Sequence, residues 1–78
     1  MITAEVSVYP LKTSDASSAI TNSISSLNNR DVEYSVGSIS TRLRGSEEQV
    51  WKSLQDMFQE AQNSGEVSMV ITVTNAAD

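Results

Sequence analysis

The 78-residue chain has no cysteine, no histidine, one proline, three glycines and four aromatic side chains. Each shortage removes a class of explanation. Without cysteine no disulfide can staple a small core, and without His or Cys clusters no structural metal site is suggested. The same gaps exclude a metallochaperone, which needs paired thiols, and leave general acid–base chemistry to Asp, Glu, Lys or Tyr. Few aromatics on an acidic chain do not make the base-stacking surface of an RNA-recognition module. Five Lys and Arg against ten Asp and Glu give a net charge of −5. No concentrated basic face is therefore available for nucleic acid or for an anionic membrane. No apolar run approaches the roughly 20 residues of a spanning helix. The opening residues alternate instead of forming a signal-peptide core. The expectation is a cytoplasmic protein, consistent with the absence of cysteine.

What the chain does have is regularity at its two ends. ITAEVSVYPL (2–11) and EVSMVITVTN (66–75) both alternate apolar and polar residues with a period of two, the signature of half-buried strands. In the first, Ile2, Ala4, Val6 and Val8 share a face, and Pro10 is expected to stop the strand because it has no ladder donor. In the last, Val67, Met69, Ile71 and Val73 share a face. Between them the pattern reads helix, hairpin, helix. Ser14 and Asp15 offer a cap for a first helix, with Ala16, Ile20, Ile24 and Leu27 as its apolar stripe and Asn28–Asn29 as a left-handed stop. Its remaining positions are mostly Ser, Thr and Asn, poor helix formers that packing must hold.

Residues 32–37 and 38–44 read as two strands joined by a tight hairpin or a bulged turn near Gly37–Ser38. On the first, Val32, Tyr34 and Val36 share a face; on the second, Ile39, Thr41 and Leu43 do. Gly45 ends the hairpin. Ser46-Glu47-Glu48-Gln49 is a capping box for a second helix, with Val50, Leu54, Met57, Phe58 and Ala61 on its inner face and Ser64–Gly65 as its end.

The order βαββαβ, with right-handed crossovers, predicts an α+β ferredoxin-like sandwich: a four-stranded antiparallel sheet with two helices on one face. The helix-free face would carry Glu5, Ser7, Tyr9, Ser40, Arg42, Arg44, Thr72 and Thr74. Residues 1–78 form one domain, with 38% apolar residues. A chain this short is near the lower limit for an independent core, so self-association is the default expectation.

Function must come from a site, since this fold hosts many. The loop Pro10-Leu11-Lys12-Thr13 lacks the arginine of an acylphosphatase and the glycine of an amino-acid-sensing ACT domain. Glu5 is an unusual mid-strand acid, to be read either as a cross-strand partner of Arg42 or as a ligand contact. Trp51 reads as rim packing or a subunit contact, and Met57 and Met69 as core fillers. The more suggestive cluster is hydroxylic: Ser38, Ser40 and Thr41. An inward Thr41 hydroxyl needs a partner, either a backbone carbonyl or a small molecule. Tyr34, also inward, would floor a flat cavity or simply pack there.

Tyr9-Pro10-Leu11, Val36-Gly37-Ser38-Ile39-Ser40-Thr41 with Gly45, and Thr74-Asn75-Ala76 together resemble the small thiamine-binding, YkoF-like proteins. The likeness spans nearly the whole chain in order and spacing. Departures are Ser38 for an expected Pro, Ile39 for Met, and Ala77 for a frequent Cys. The resemblance implies a ferredoxin-like protomer, homodimers or homotetramers built through the sheets, and binding of thiamine or its hydroxymethylpyrimidine moiety without catalysis or cofactor. On this reading Ser40 and Thr41 carry over as ligand-binding residues, and Ser38 is added from the hydroxyl cluster. Tyr34, Glu5 and Ser7 join them on chemistry alone: an aromatic wall, a partner for an amine or cation, and a hydroxyl. The alternative is a structural or regulatory oligomerisation module with no small-molecule ligand.

Overall fold

The computed structural model describes residues 1–13, 15–29, 31–63 and 65–76. Its elements run β1 (Ile2–Thr13), α1 (Ala16–Ser25), a 3₁₀ turn (Ser26–Asn29), β2 (Glu33–Val36), β3 (Thr41–Gly45), α2 (Glu47–Gln62) and β4 (Gly65–Thr74). The strands form one antiparallel sheet in the order β2-β3-β1-β4. This is the expected ferredoxin-like sandwich. Alternation along β1 sends Ala4 and Val6 inward, where they join Leu27, Leu43, Val50, Leu54 and Met57 in the core. Ile2, Val8, Val32, Met69 and Val73 pack against that cluster from its edges. Each large apolar side chain buried there contributes about 1.5–3 kcal/mol.

Pro10 does not end β1, contrary to the expectation. It pairs with Val67 of β4, and the strand continues with a register shift between Pro10 and Thr13. The reason lies on the other side of the strand, where pairing with β3 stops at Val6↔Thr41. Beyond that point one edge of β1 has no ladder, so a missing N–H there costs little. The hairpin strands are also shorter than the alternation suggested. Residues 37–40 leave the ladder as a loop, closed by a Gly37 N–H to Ser40 carbonyl bond of 2.8 Å. A Cβ on Gly37 would sit 3.1 Å from that same carbonyl, so the side-chain-free residue allows the closure.

Asp15 caps α1: its carboxylate accepts from the Ser18 amide at 3.0 Å and the Ser18 hydroxyl at 2.7 Å. Ser14, the other expected cap residue, lies outside the described residues. The buried line of this helix is Ala19 and Ser23, continued by Leu27, whereas Ala16 and Ile20 are exposed. The predicted stripe is thus rotated. α1 packs on both α2 and β1, and small side chains on its contact line permit that approach. Its end is the 3₁₀ turn and not a left-handed Asn, since no non-glycine residue among those described has positive φ.

In α2 the Ser46 hydroxyl accepts from the Gln49 amide at 3.2 Å, the expected cap. Val50, Ser53, Leu54, Met57 and Ala61 are buried, but Phe58 is 40% exposed on the flank, not inside. Buried Ser53 and Ser23 satisfy their hydroxyls within their own helices, donating to the Gln49 and Ile20 carbonyls at 2.7 and 2.8 Å. Gly65, at φ 136°, makes the turn into β4 in a region that side chains disfavour.

Candidate ligand-binding site

Because β1 outruns β3, a gap opens beside its unpaired stretch. β1 supplies Val6, Val8 and Tyr9 to this gap, α1 supplies Ile20, Ser23 and Ile24, and the hairpin closes it with residues 36–41. The result is a cavity of about 270 Å³. Its roof is pinned from β1, where the Ser7 hydroxyl donates to the Ile39 carbonyl at 3.3 Å. Ile39 itself borders the cavity but is 81% exposed, although alternation had assigned it to the inner face with Thr41. The loop geometry explains this, since a residue outside the ladder is not bound by its period.

Ser38, Ser40 and Thr41 all line this cavity. Thr41 pairs with core residue Val6 and with Val36, so its side chain faces the helices, and it is almost wholly buried. Among the described residues, no side chain or carbonyl accepts from or donates to these three hydroxyls. They are therefore available to a bound molecule. Ser23 adds an oxygen already committed to its own helix.

The other predicted contacts lie elsewhere. Tyr34 pairs with Leu43 and so does face the helix side, but at the sheet edge, where it is 41% exposed. Its hydroxyl donates to Asn28 Oδ1 at 2.8 Å, and it lines a separate groove with Glu33, Ser35, Arg42 and Arg44. Glu5 sits on the helix-free face, in register with Arg42 on one side and Thr72 on the other. Ser7 acts on the cavity through the hairpin backbone and does not line it. The aromatic ring at the cavity is instead Tyr9, 48% exposed at the rim. Strand alternation had placed Tyr9 on the far face. With no neighbouring strand on the β3 side, a long side chain reaches round that edge. The signal available in the sequence was Pro10, which marks where the β1 ladder loses a side.

The chemistry of the cavity is simple. Its lining holds hydroxyls, aliphatic side chains and one phenol, and no carboxylate, amine or guanidinium. Hydroxyls both donate and accept, so they suit a ring bearing nitrogens and an amine. Among the described residues, no group of three His, Cys, Asp or Glu is placed to hold a metal ion. A second depression, about 660 Å³, lies on the opposite flank between α2 and β4 and is lined by Trp51, Leu54, Phe58, Met69, Ile71 and polar neighbours.

By architecture this is a ferredoxin-like α+β protein with a small cavity at the end of its central hairpin. The chain belongs to the YkoF-related family, whose model matches residues 1–77. Solved structures share the fold. A domain of unknown function from Bacillus cereus is 27% identical, with a TM-score of 0.85 over 96% of this chain and 75% of that one. A Streptococcus pneumoniae protein is 18% identical, with a TM-score of 0.87 over 97% and 87%. A Thermotoga maritima protein, described with a proposed role in thiamine biosynthesis or salvage, is 16% identical, with a TM-score of 0.80 over 96% and 83%. No curated protein matches the chain.

Proposed function

We propose that this protein binds thiamine or its hydroxymethylpyrimidine moiety without catalysis, as a homo-oligomer in the cytoplasm. The observation that carries this reading is the cavity beside the hairpin, where three hydroxyls face a space of about 270 Å³. Family membership and the role proposed for the Thermotoga relative favour a thiamine-related ligand. A flat ring with nitrogens and an exocyclic amine matches the hydroxyls of Thr41, Ser40 and Ser38, with Tyr9 as the aromatic wall. The lining supports binding over turnover, because Tyr9 is its only titratable side chain.

Calorimetric titration tests this reading. Binding at micromolar ligand is expected for the native chain. Thr41→Val keeps the shape but removes one neutral hydrogen bond, which lowers affinity by roughly three- to tenfold. Unchanged affinity in that variant removes Thr41 from the site, and a flat native trace removes the ligand.

The second reading, an assembly module without a small-molecule ligand, draws on the α2–β4 flank. There Trp51 is 46% exposed and Phe58 and Ile71 are each 40% exposed, beside an edge strand carrying no charge after Glu66. An uncharged apolar edge of this length suits pairing with a second copy. A tight oligomer with no heat from either ligand supports this reading.

A further inference from the structure

We infer that Ser7, which does not line the cavity, is a positioning residue for it: its hydroxyl holds the hairpin tip so that Ser38 and Ser40, but not Thr41, depend on it for their place. The inference rests on the cavity being the ligand site and goes further by dividing its hydroxyls into two kinds.

The first kind is fixed by the ladder. Thr41 stands in register with Val6 on one side and Val36 on the other, so main-chain pairing sets its position. The second kind lies beyond the ladder. β1 pairs with β3 only as far as Val6↔Thr41, and residues 37–40 belong to neither hairpin strand. Within that tip the Gly37 N–H donates to the Ser40 carbonyl at 2.8 Å. This bond closes the turn on itself without attaching it to anything else.

Ser7 supplies the attachment. It is the next residue of β1 after the last ladder pair, and its hydroxyl donates to the Ile39 carbonyl at 3.3 Å. Among the described residues no other hydrogen bond runs from residues 37–40 to the body of the protein. A side-chain donor thus takes over where main-chain pairing stops.

The atom it holds is well placed. Ile39 stands between Ser38 and Ser40, so restraining its carbonyl restrains both serines, which line the cavity. The Ile39 side chain is mostly exposed and offers little packing to do the same. Val6 and Val8, the neighbours of Ser7, line the cavity, and alternation directs Ser7 to the other face. Its effect on a ligand therefore passes through the tip. Contacts left without such support lose their productive geometry.

The bond is longer than the about 2.5–3.0 Å usual for a hydroxyl donor. Its loss is expected near the low end for a neutral bond, roughly threefold. In the unliganded full chain, Ser7→Ala should speed amide exchange at Gly37 by about threefold and leave Leu54 in α2 unchanged. Ser7→Thr keeps the hydroxyl and should restore the native rate. Calorimetric titration with hydroxymethylpyrimidine and with thiamine then reads the coupling. Ser7→Ala is expected to weaken binding roughly threefold. Ser40→Ala should cost less affinity in the Ser7→Ala background than in the native one, whereas Thr41→Val should cost the same in both. Unchanged exchange at Gly37, or full additivity of Ser7→Ala with Ser40→Ala, overturns the inference while leaving the cavity as the ligand site. A native chain that gives no heat with either ligand overturns the site and the inference together.

Discussion

On one flank of the sheet, α1 meets the hairpin through Ser23, Ile20 and Ile24, and the space between them stays open and hydroxyl-lined. On the other, α2 meets β4 through Leu54, Met69 and Ile71, with Trp51 and Phe58 spread over the surface beside them. Both flanks are strand–helix layers of the same sandwich, yet they are built from different side chains. The small Ser23 on α1 leaves volume, and the hairpin hydroxyls of Ser38, Ser40 and Thr41 border it. Long apolar residues on α2 leave a wide surface that only a comparably apolar partner can cover. The difference teaches that two helices of unequal composition give the two flanks of one small sheet surfaces of unlike chemistry.

Stability measurements should expose the contrast most strongly. Met57 on α2 is fully buried, and Met57→Ala is expected to cost about 2–5 kcal/mol. Ser23 is equally buried, but its hydroxyl is bonded only within its own turn. Ser23→Ala should therefore shift stability by less than about 1 kcal/mol. Urea unfolding of both variants decides this; equal losses would show that α1 is as tightly keyed as α2.

Assembly sharpens the comparison further. Trp51→Lys places a charge at the exposed aromatic edge of α2, and disrupting such an anchor weakens association by about 30-fold. Sedimentation should show a shift toward monomer, with ligand affinity unchanged. A Trp51→Lys protein that stays assembled would move the interface off this flank.

The smallest expected effect concerns pH. Hydrogen bonds from the Ser18 hydroxyl, and then from its amide, hold the Asp15 carboxyl below the ordinary aspartate range. A depressed folded-state pKa means that the cap stabilises α1 above the unfolded value. That contribution is lost as the pH falls through the folded value. The cap of α2 is the neutral hydroxyl of Ser46. In acid, amide exchange at Ser18 is expected to accelerate relative to Gln49, and Asp15→Asn should abolish the difference. Parallel behaviour of the two amides would refute the assignment.

Much of this architecture was readable from residue order, and the exceptions have identifiable causes. Period-two alternation located β1 and β4, and Ser46 to Gln49 located the start of α2, because ladder and cap geometry depend on local residues. The face of α1 was misread because periodicity counts apolar side chains. Ala16, Ile20 and Ile24 therefore outweighed Ala19 and Ser23, whose small size is what the contact with α2 and β1 requires. Phe58 was misplaced for a related reason: an i+4 apolar position is inner only if a partner covers it. At the cavity, Ser38, Ser40 and Thr41 were legible as a cluster. Tyr9 and Tyr34 were not separable, because alternation assigns a face of the sheet but not how far along it the neighbouring strand extends.

The unequal lengths of β1 and β3 have a consequence for how such a cavity changes. With β1 spanning Ile2–Thr13 against Thr41–Gly45 in β3, the void is what remains when the shorter strand runs out. A longer hairpin would zip along the free side of β1 and erase it, whereas a shorter one would widen it, with every lining side chain left as it is. Chain insertions or deletions at the tip, and not exchanges of its residues, are therefore the direct way to resize what this scaffold can hold.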